Sequence, residues 1–201
     1  VVPLIELLRL RAVPEGEGIW SSDPRCEAAT ALGLIGDRRA VEPLLRALSD
    51  ERDSLRTLSA IALGKLGDRR AIPALRKALA SAKPIYHFGF AAALAQFGDN
   101  SGLPDLLYFA IKSAGISHGQ FPALEAMEAL GKLRDRRAVP ALIYCLRSNS
   151  GWNGRGIIAA SRALGAIGDR RALPALEAVR QQEDPAARKQ VEDAIASFSA
   201  R

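Results

Sequence analysis

Cysteine, histidine and aromatic side chains are scarce in this sequence, and their scarcity excludes several classes of protein. The two cysteines, Cys26 and Cys145, have no metal-type spacing with each other or with the two histidines, His87 and His118. The pattern therefore indicates neither a disulfide framework nor a zinc site, and it favours a reducing, cytoplasmic location. No apolar run approaches the roughly 18 residues of a membrane span, and no secretory signal segment opens the chain. We expect no membrane insertion.

The bulk composition is that of a folded protein with a basic surface. Of the 201 residues, 48% are hydrophobic and 25% are charged, which argues against intrinsic disorder. The formal net charge is +6, which is compatible with nucleic acid or another acidic partner. The first residue is Val1, and it already belongs to a helical pattern. We therefore expect the chain to be a processed or excised piece of a longer protein.

A short turn sequence recurs five times along the chain. Its first copy, Gly-Asp-Arg-Arg-Ala-Val, begins at Gly36, and the later copies begin at Gly67, Gly98, Arg134 and Gly168. The base period is 31 residues, and the last two spacings are longer by five and three residues. Such self-similarity at a fixed period is typical of repeat architectures.

Each turn is flanked by two amphipathic patterns of helical period. Before the turn, apolar residues recur at positions i, i+3, i+4 and i+7, which predicts a helix that we call helix A. After the turn, a second apolar stripe carries a proline in its first turn, and we call this helix B. The pattern divides the chain into a partial unit at 1–12, units at about 22–50, 53–81, 84–112, 120–148 and 154–182, and a terminal helix at 184–199.

These patterns predict an all-α fold of about twelve helices. One helix B, five A–B pairs and one terminal helix A follow one another along the sequence. No single pair can bury its apolar faces alone, so neighbouring pairs must stack. We therefore expect one right-handed α–α superhelix over residues 1–201.

The repeat sequence resembles a known class. The pattern Asp-Pro-x-x-Arg, then Ala-Leu-Gly-x-Ile/Leu-Gly-Asp-x-Arg-Ala-Val-x-Pro-x-Leu, is similar to the short HEAT-like repeats named after the phycobilisome bilin lyases. The resemblance covers nearly the whole chain and implies a HEAT-like solenoid whose concave side is lined by helix B. It leaves the function open, since lyase subunits, phycobilisome-degradation factors, signalling proteins and scaffolds share these repeats. Deoxyhypusine hydroxylases also share them, but their iron-binding His-Glu pairs are absent here.

A change of residue type along helix B predicts a binding surface. One column of the repeat reads Arg46, Lys77, Tyr108, Tyr144 and Ala178, so basic residues give way to two tyrosines. Repeat stacking does not require this change, and tyrosine brings a large contact area at low conformational-entropy cost. We expect a binding groove centred on the third and fourth units.

The insertions in the repeat point to the same region. All three fall between a helix B and the next helix A, at Arg9 to Asp23, Ser113 to Phe121 and Ser148 to Gly156, and such loops often bind partners in solenoids. Both tryptophans lie in them, and each either contacts a partner or plugs its own loop onto the core. The candidate partner-binding residues are Tyr108, Tyr144, Trp152, Arg155, His118, Trp20, Lys77 and Arg46.

The remaining polar residues of the repeat have two interpretations. The aspartate of each turn either accepts backbone N–H bonds and pairs with arginines of neighbouring turns, or the arginine pairs form a basic edge for phosphate or acidic protein. His87 shares its helix A column with Arg25 and Arg56, which we expect to be exposed or at an edge. Cys26 and Cys145 fall in mostly apolar columns, so we expect them in the core.

Three functions are compatible with these observations. The leading hypothesis is a non-catalytic scaffold that binds a protein through its concave face and inserted loops. The alternative is a bilin lyase or isomerase subunit, or a phycobilisome-associated factor, with a bilin as the only cofactor that we expect under any hypothesis. Nucleic-acid binding along the arginine edge is the weaker third hypothesis. We predict no catalytic residue and no metal site.

Overall fold

The computed structural model describes residues 1–10, 23–113, 122–148, 154–181 and 183–199, which fall into two compact units. The first unit spans Val1–Gly102. Its described helices are α1 (Val2–Arg9), α2 (Pro24–Ile35), α3 (Val41–Ala47), α4 (Asp53–Leu66), α5 (Ile72–Ser81) and α6 (His87–Gln96).

The second unit spans Leu103–Arg201 and repeats the same plan. Its described helices are α7 (Leu103–Ser113), α8 (Pro122–Leu133), α9 (Val139–Ser148), α10 (Arg155–Ile167), α11 (Leu173–Ala178) and α12 (Pro185–Ser199). The described residues therefore contain twelve α-helices and no strand, which confirms the all-α repeat fold. The division between the units falls inside the third predicted repeat, and the single array over 1–201 stays a prediction.

Helices A and B form separate rows within each unit. In the first unit, α2, α4 and α6 are the A helices and lie side by side, while α1, α3 and α5 are the B helices and pack against them. In the second unit, α8, α10 and α12 form the A row and α7, α9 and α11 the B row. Successive B helices of a unit therefore present their outward residues on one surface, which we call the B-helix face.

The turn sequence builds each A–B connection in the same way. Helix α2 ends at Gly36, whose φ of 77° lies in the left-handed region that glycine adopts without steric cost. Asp37 then caps a short 3₁₀ segment at Arg38–Ala40, and helix α3 follows directly. The proline of helix B lies in its first turn, where the missing N–H leaves no hydrogen bond unmade. This local chemistry explains why the sequence pattern located the turns.

The fourth turn departs from the others at one backbone position. Arg134 occupies the place of the glycine and has a φ of 51°, which costs a residue with a β-carbon roughly 1–2 kcal/mol. We expect Arg134→Gly to raise the free energy of unfolding by about 1 kcal/mol, after the added entropy of glycine in the unfolded chain is subtracted. Urea denaturation followed by circular dichroism measures this change.

The reciprocal substitution provides the control for that prediction. In the described part of the chain, no heavy atom lies within 4 Å of a β-carbon built at Gly67, so Gly67→Arg introduces the strained φ without a clash. It should lower the free energy of unfolding by about 1 kcal/mol. Opposite signs for the two substitutions support a backbone origin, and equal signs would contradict it.

Neighbouring A helices approach each other closely at glycine. A β-carbon at Gly33 would lie 2.7 Å from Ala62 Cα, and one at Gly131 would lie 2.9 Å from Ala163 Cα. These contacts show that the glycine recurring in helix A allows neighbouring A helices to pack closely. The leucine at the preceding position is buried in all five A helices before a turn, including α6, where alanine replaces the glycine: Leu32, Leu63, Leu94, Leu130 and Leu164. The core of each unit therefore runs between its A and B rows.

Candidate functional site

The two tyrosines of the predicted groove lie on neighbouring B helices of the second unit. Tyr108 is on α7 and Tyr144 is on α9, and these two helices pack against each other. Their exposed fractions are 58% and 51%, although both are large aromatic side chains. The structure thus brings this pair onto the B-helix face of the second unit.

Helical period explains why these tyrosines face outward. Tyr108 is two residues from both Leu106 and Ala110, which are buried, and two residues correspond to about 200° around an α-helix. Tyr144 stands in the same relation to buried Leu142 and Leu146. The Tyr108 ring also makes an edge-to-face contact with Phe109, with centroids 5.5 Å apart, which restrains its orientation.

The basic part of the column lies on the B-helix face of the first unit. Arg46 on α3 and Lys77 on α5 are both exposed. Arg46 lines a groove of about 240 Å³ together with Leu8, Arg9, Pro43, Ala47 and Asp50. Lys77 lines a second groove of about 300 Å³, whose other lining residues are Leu45, Leu48, Ser49, Asp50, Arg56, Ala74, Ala78 and Ser81. Each groove therefore combines apolar and polar side chains, and each contains one outward cation from this column.

The other predicted site residues divide into two groups. Arg155 is exposed at the start of α10, which is an A helix, so it is not part of the B-helix face. Trp20, His118 and Trp152 lie outside the described residues, and their role in binding stays a prediction.

The aspartates of the turns are structural, but their arginine partners differ from the prediction. Asp37 Oδ1 accepts the backbone N–H of Arg39 at 2.9 Å, and Asp37 Oδ2 pairs with Nη2 of the same arginine at 2.7 Å. The same arrangement recurs at Asp68, Asp135 and Asp169. The prediction that these aspartates pair with arginines of neighbouring turns was wrong for these ion pairs. The arginine two residues after each aspartate can donate both its backbone N–H and its guanidinium to the same carboxylate.

The third turn replaces its missing arginine with one from another helix. Ser101 stands where the other turns have the second arginine, and its N–H donates to Asp99 Oδ1 at 2.9 Å. Arg76 of α5 donates from Nε to Asp99 Oδ2 at 2.9 Å. Burial would raise the pKa of Asp99, but the bonds from Ser101 and Arg76 outweigh it and lower the pKa below 3.8. The third turn lacks the repeat arginine, but the Asp99 carboxylate still has a cationic partner in Arg76.

These turns should make stability depend on pH in the acid range. Hydrogen bonds from the arginine two residues on lower the pKa of Asp37, Asp68 and Asp169 to about 2, from 3.8. Because the folded pKa is depressed, the ionised carboxylates favour folding above about pH 4, and this contribution is lost as the pH falls through about 2. We expect the urea midpoint to fall over this interval and the triple aspartate-to-asparagine variant to lose part of that slope.

A matched variant tests the origin of that slope. Glu128, Glu192 and Asp193 are exposed carboxylates on α8 and α12, outside the turns. Their combined conversion to amides removes the same number of charges. If both triple variants flatten the acid profile equally, general charge repulsion accounts for it, and the turn ion pairs do not.

The repeated turns and the two rows of helices agree with a match to a known family of repeat proteins. The HEAT-repeat family matches residues 20–95 and 122–196, which together are most of the chain. The chain belongs to the HEAT-repeat proteins. The predicted HEAT-like repeat is thereby confirmed. A search of curated protein sequences finds no match to this chain.

Solved structures with similar folds include natural and designed repeat proteins. The complex of CpcE and CpcF of phycocyanin lyase from Nostoc sp. PCC7120 is similar over 94% of this chain and 99% of its own, with 23% identity and a TM-score of 0.51. An engineered protein is similar over 98% and 97%, with 19% identity and a TM-score of 0.60. A designed armadillo repeat protein in complex with the peptide (KR)4 is similar over 98% of both chains, with 17% identity and a TM-score of 0.57. These likenesses concern the fold.

One column of this HEAT-repeat protein was predicted to be exposed or at an edge, and its first member, Arg25, is instead buried. Arg25 is only 3% exposed, and it bonds both Asp23 and Asp50. Arg56 is half-buried and donates from Nε to the carbonyl of Leu48 at 3.1 Å. The prediction failed because carbonyl groups at the ends of helix B need donors, and the arginines of the next helix A supply them.

His87 continues this column. Its Nε2 lies 3.1 Å from the carbonyl oxygen of Ala82, and its side chain is half-buried. The three residues of the column, Arg25, Arg56 and His87, thus connect each helix A to the chain that precedes it. The sequence signal was present at Asp23 and Arg25, which have the same Asp-x-Arg spacing as the turns.

The two cysteines differ in environment. Cys145 is fully buried, its Sγ lies 3.4 Å from the carbonyl of Ala110, and burial raises its pKa to about 11. The predicted core position is confirmed for this residue. Cys26 is half-buried and packs against the edge of the core, with its Sγ 3.8 Å from Ser54 Oγ, so the core prediction holds only in part there. The Cys26 thiol lies beside Ser54 at the start of α4, whereas Cys145 faces α7.

None of the described helices is long and apolar enough to cross a membrane. Among the described residues, no group of three or more histidine, cysteine, aspartate and glutamate side chains could hold a metal ion.

Proposed function

We propose that this HEAT-repeat protein is a non-catalytic scaffold that binds a partner protein through its B-helix face. The observation that carries the proposal is the pair of exposed tyrosines, Tyr108 and Tyr144, on the packed helices α7 and α9. Most large apolar side chains in this unit are in the core, so two exposed rings on one face need a separate explanation. A binding surface explains them, because tyrosine is enriched among residues that dominate binding energy.

Partner binding should depend on these two side chains. We expect Tyr108→Ala or Tyr144→Ala to weaken binding by about 1–4 kcal/mol each, because truncation removes desolvated contact area at the centre of the surface. The partner is first captured from native extract and identified by mass spectrometry. Its affinity for the wild type and for each variant is then measured with purified proteins.

Two controls make that experiment decisive. Leu34→Ala removes an apolar side chain that is 70% exposed on α2, an A helix, and should leave the affinity unchanged. Circular dichroism verifies that all variants remain folded. Equal affinity of the wild type and the Tyr108/Tyr144 double variant would move the binding site away from this face. The proposal also includes a second surface, the inserted segments with the adjoining Arg155, and the alanine variants of Trp20, His118, Trp152 and Arg155 test that part separately.

A bilin lyase or isomerase subunit is the second candidate function. The repeat sequence resembles the repeats named after bilin lyases, and the fold is similar to the phycocyanin lyase complex. The exposed rings of Tyr108 and Tyr144 offer a flat aromatic surface to a linear tetrapyrrole. Titration of phycocyanobilin with the protein tests this candidate. A shifted and intensified long-wavelength absorbance band supports it, and an unchanged spectrum excludes it.

Nucleic-acid binding is less well supported by the geometry of the turns. The second arginine of each pair is held by the aspartate of its own turn, as in Arg137 with Asp135. Part of the positive charge that a phosphate backbone would need is therefore already neutralised. We propose no nucleic-acid partner.

A further inference from the structure

The B-helix face of the first unit carries two grooves in succession. One lies between α1 and α3 and the other between α3 and α5, with volumes of about 240 and 300 Å³. Arg46 lines the first and Lys77 lines the second, at equivalent positions of consecutive repeats. A ligand that crosses the helices would meet these two cations in turn.

The other charges of the grooves are already engaged. Arg9 Nη1 pairs with Glu6 at 2.8 Å, and Asp50 Oδ2 accepts from Arg25 Nη1 at 2.8 Å. Arg56 is held by Asp53 at 3.0 Å and by the carbonyl of Leu48. In contrast, the side chains of Arg46 and Lys77 have no hydrogen-bond or ion-pair partner among the described residues. They are the two cations that an incoming anion can neutralise.

The advance from one repeat to the next is compatible with one extended backbone conformation. The A helices α2, α4 and α6 of consecutive repeats pack against one another, and packed helices lie roughly 8–10 Å apart, so we expect Arg46 and Lys77 to be separated by about this distance. A polyproline II segment has three residues per turn and rises about 3.1 Å per residue, so residues i and i+3 share one face about 9 Å apart. Carboxylates at i and i+3 of such a segment would reach Arg46 and Lys77 together. Apolar residues between them would contact the groove walls at Leu45, Ala74 and Ala78.

We propose that the first unit binds an acidic, extended segment of a partner protein, with carboxylates three residues apart on Arg46 and Lys77. This inference rests on the proposed scaffold function and specifies the chemistry of the partner. The segment lies across α1, α3 and α5, and its intervening residues are apolar or proline. The two cations provide the charge complementarity, and the apolar residues of the second groove, Leu45, Ala74 and Ala78, provide the apolar contact.

Fluorescence anisotropy with a synthetic peptide tests the inference directly. The probe is fluorescein-labelled Glu-Pro-Pro-Glu-Pro-Pro-Glu, and the comparison peptide is Glu-Glu-Glu-Pro-Pro-Pro-Pro, which has the same composition and charge. We expect the wild-type protein to bind the spaced peptide more tightly. Arg46→Glu combined with Lys77→Glu should weaken this binding about tenfold, because two attractions become repulsions.

A matched double variant controls for net charge. Lys65→Glu combined with Arg69→Glu makes the same change of charge at exposed positions of α4 and the second turn, away from the grooves. It should leave peptide affinity within about twofold of the wild type, because exposed charges more than about 10 Å apart are largely screened. Equal weakening by both double variants, equal binding of both peptides, or no binding of the spaced peptide would each overturn the inference.

The outcome remains separable from that of the scaffold proposal. Partner capture that depends on Tyr108 and Tyr144 tests the scaffold independently of Arg46 and Lys77. Loss of capture in the tyrosine variants, with no peptide binding to the first unit, would overturn this inference and leave the scaffold intact. Competition by a duplex DNA of equal total charge, at least as strong as that by the spaced peptide, would also overturn the choice of an acidic protein segment.

Discussion

Asp23→Asn should destabilise the protein by about 3 kcal/mol, because it leaves the guanidinium of Arg25 buried with less compensating charge. The side chains of Arg25 and Asp23 are only 4% and 3% exposed, and their Nη2–Oδ2 distance is 2.8 Å. Burial would raise the pKa of Asp23, but the bonds from Arg25 outweigh it and lower the pKa below 3.8. Asparagine keeps the oxygen that accepts the Arg25 backbone N–H. Urea denaturation at neutral pH measures the difference.

The exposed equivalent of this pair provides the control. Asp37 and Arg39 have the same sequence spacing and hydrogen bonds, but the Arg39 side chain is 66% exposed. Asp37→Asn should therefore cost much less than Asp23→Asn, since solvent screens the charge that remains. Similar losses for the two substitutions would show that the hydrogen-bond pattern, and not burial, determines the energetics.

Leu63→Ala should lower the free energy of unfolding by about 2–5 kcal/mol. Leu63 is fully buried on α4, which packs between α2 and α6 in the A row of the first unit. The cavity therefore weakens contacts across the middle of the unit, and rigid helices on both sides limit its collapse. Urea melts of the purified variant measure the loss.

A second leucine on the same helix provides a comparison for the loss of stability in Leu63→Ala. Leu66 is only partly buried, so Leu66→Ala should cost clearly less than Leu63→Ala. Hydrogen exchange of α2 and α6 should accelerate in the Leu63 variant, because both helices lose packing against α4. A loss under about 0.5 kcal/mol would mean that the core lies elsewhere.

The helices could be predicted from the sequence because each turn contains the residues that end one helix and begin the next. Gly36 supplies the left-handed residue that ends helix A, Asp37 caps the following 3₁₀ segment, and a proline opens helix B. These interactions span two to five residues, so they are visible in a short window. The outward position of Tyr108 and Tyr144 was equally accessible, because it follows from helical period alone.

The features that the sequence did not reveal depend on distant contacts. Arginine is rarely buried without a partner, so the column of Arg25 was expected at the surface. Its burial depends on Asp50, which is 25 residues away at the other end of the same predicted repeat unit. Cys26 was assigned from the average of its column, and an average does not identify Ser54 as its neighbour.

Arg25 also connects the two described residues, Leu10 and Asp23, that flank residues 11–22. Its Nη1 lies 3.4 Å from the Leu10 carbonyl oxygen, and its Nη2 bonds Asp23, so one guanidinium contacts the two residues that flank 11–22. For a loop whose ends are already joined, doubling the length costs only about 0.6 kcal/mol of closure entropy. We therefore expect α1 and α2 to keep their packing when residues are added between these two contacts. A recognition sequence could then be introduced at this position without altering the repeat.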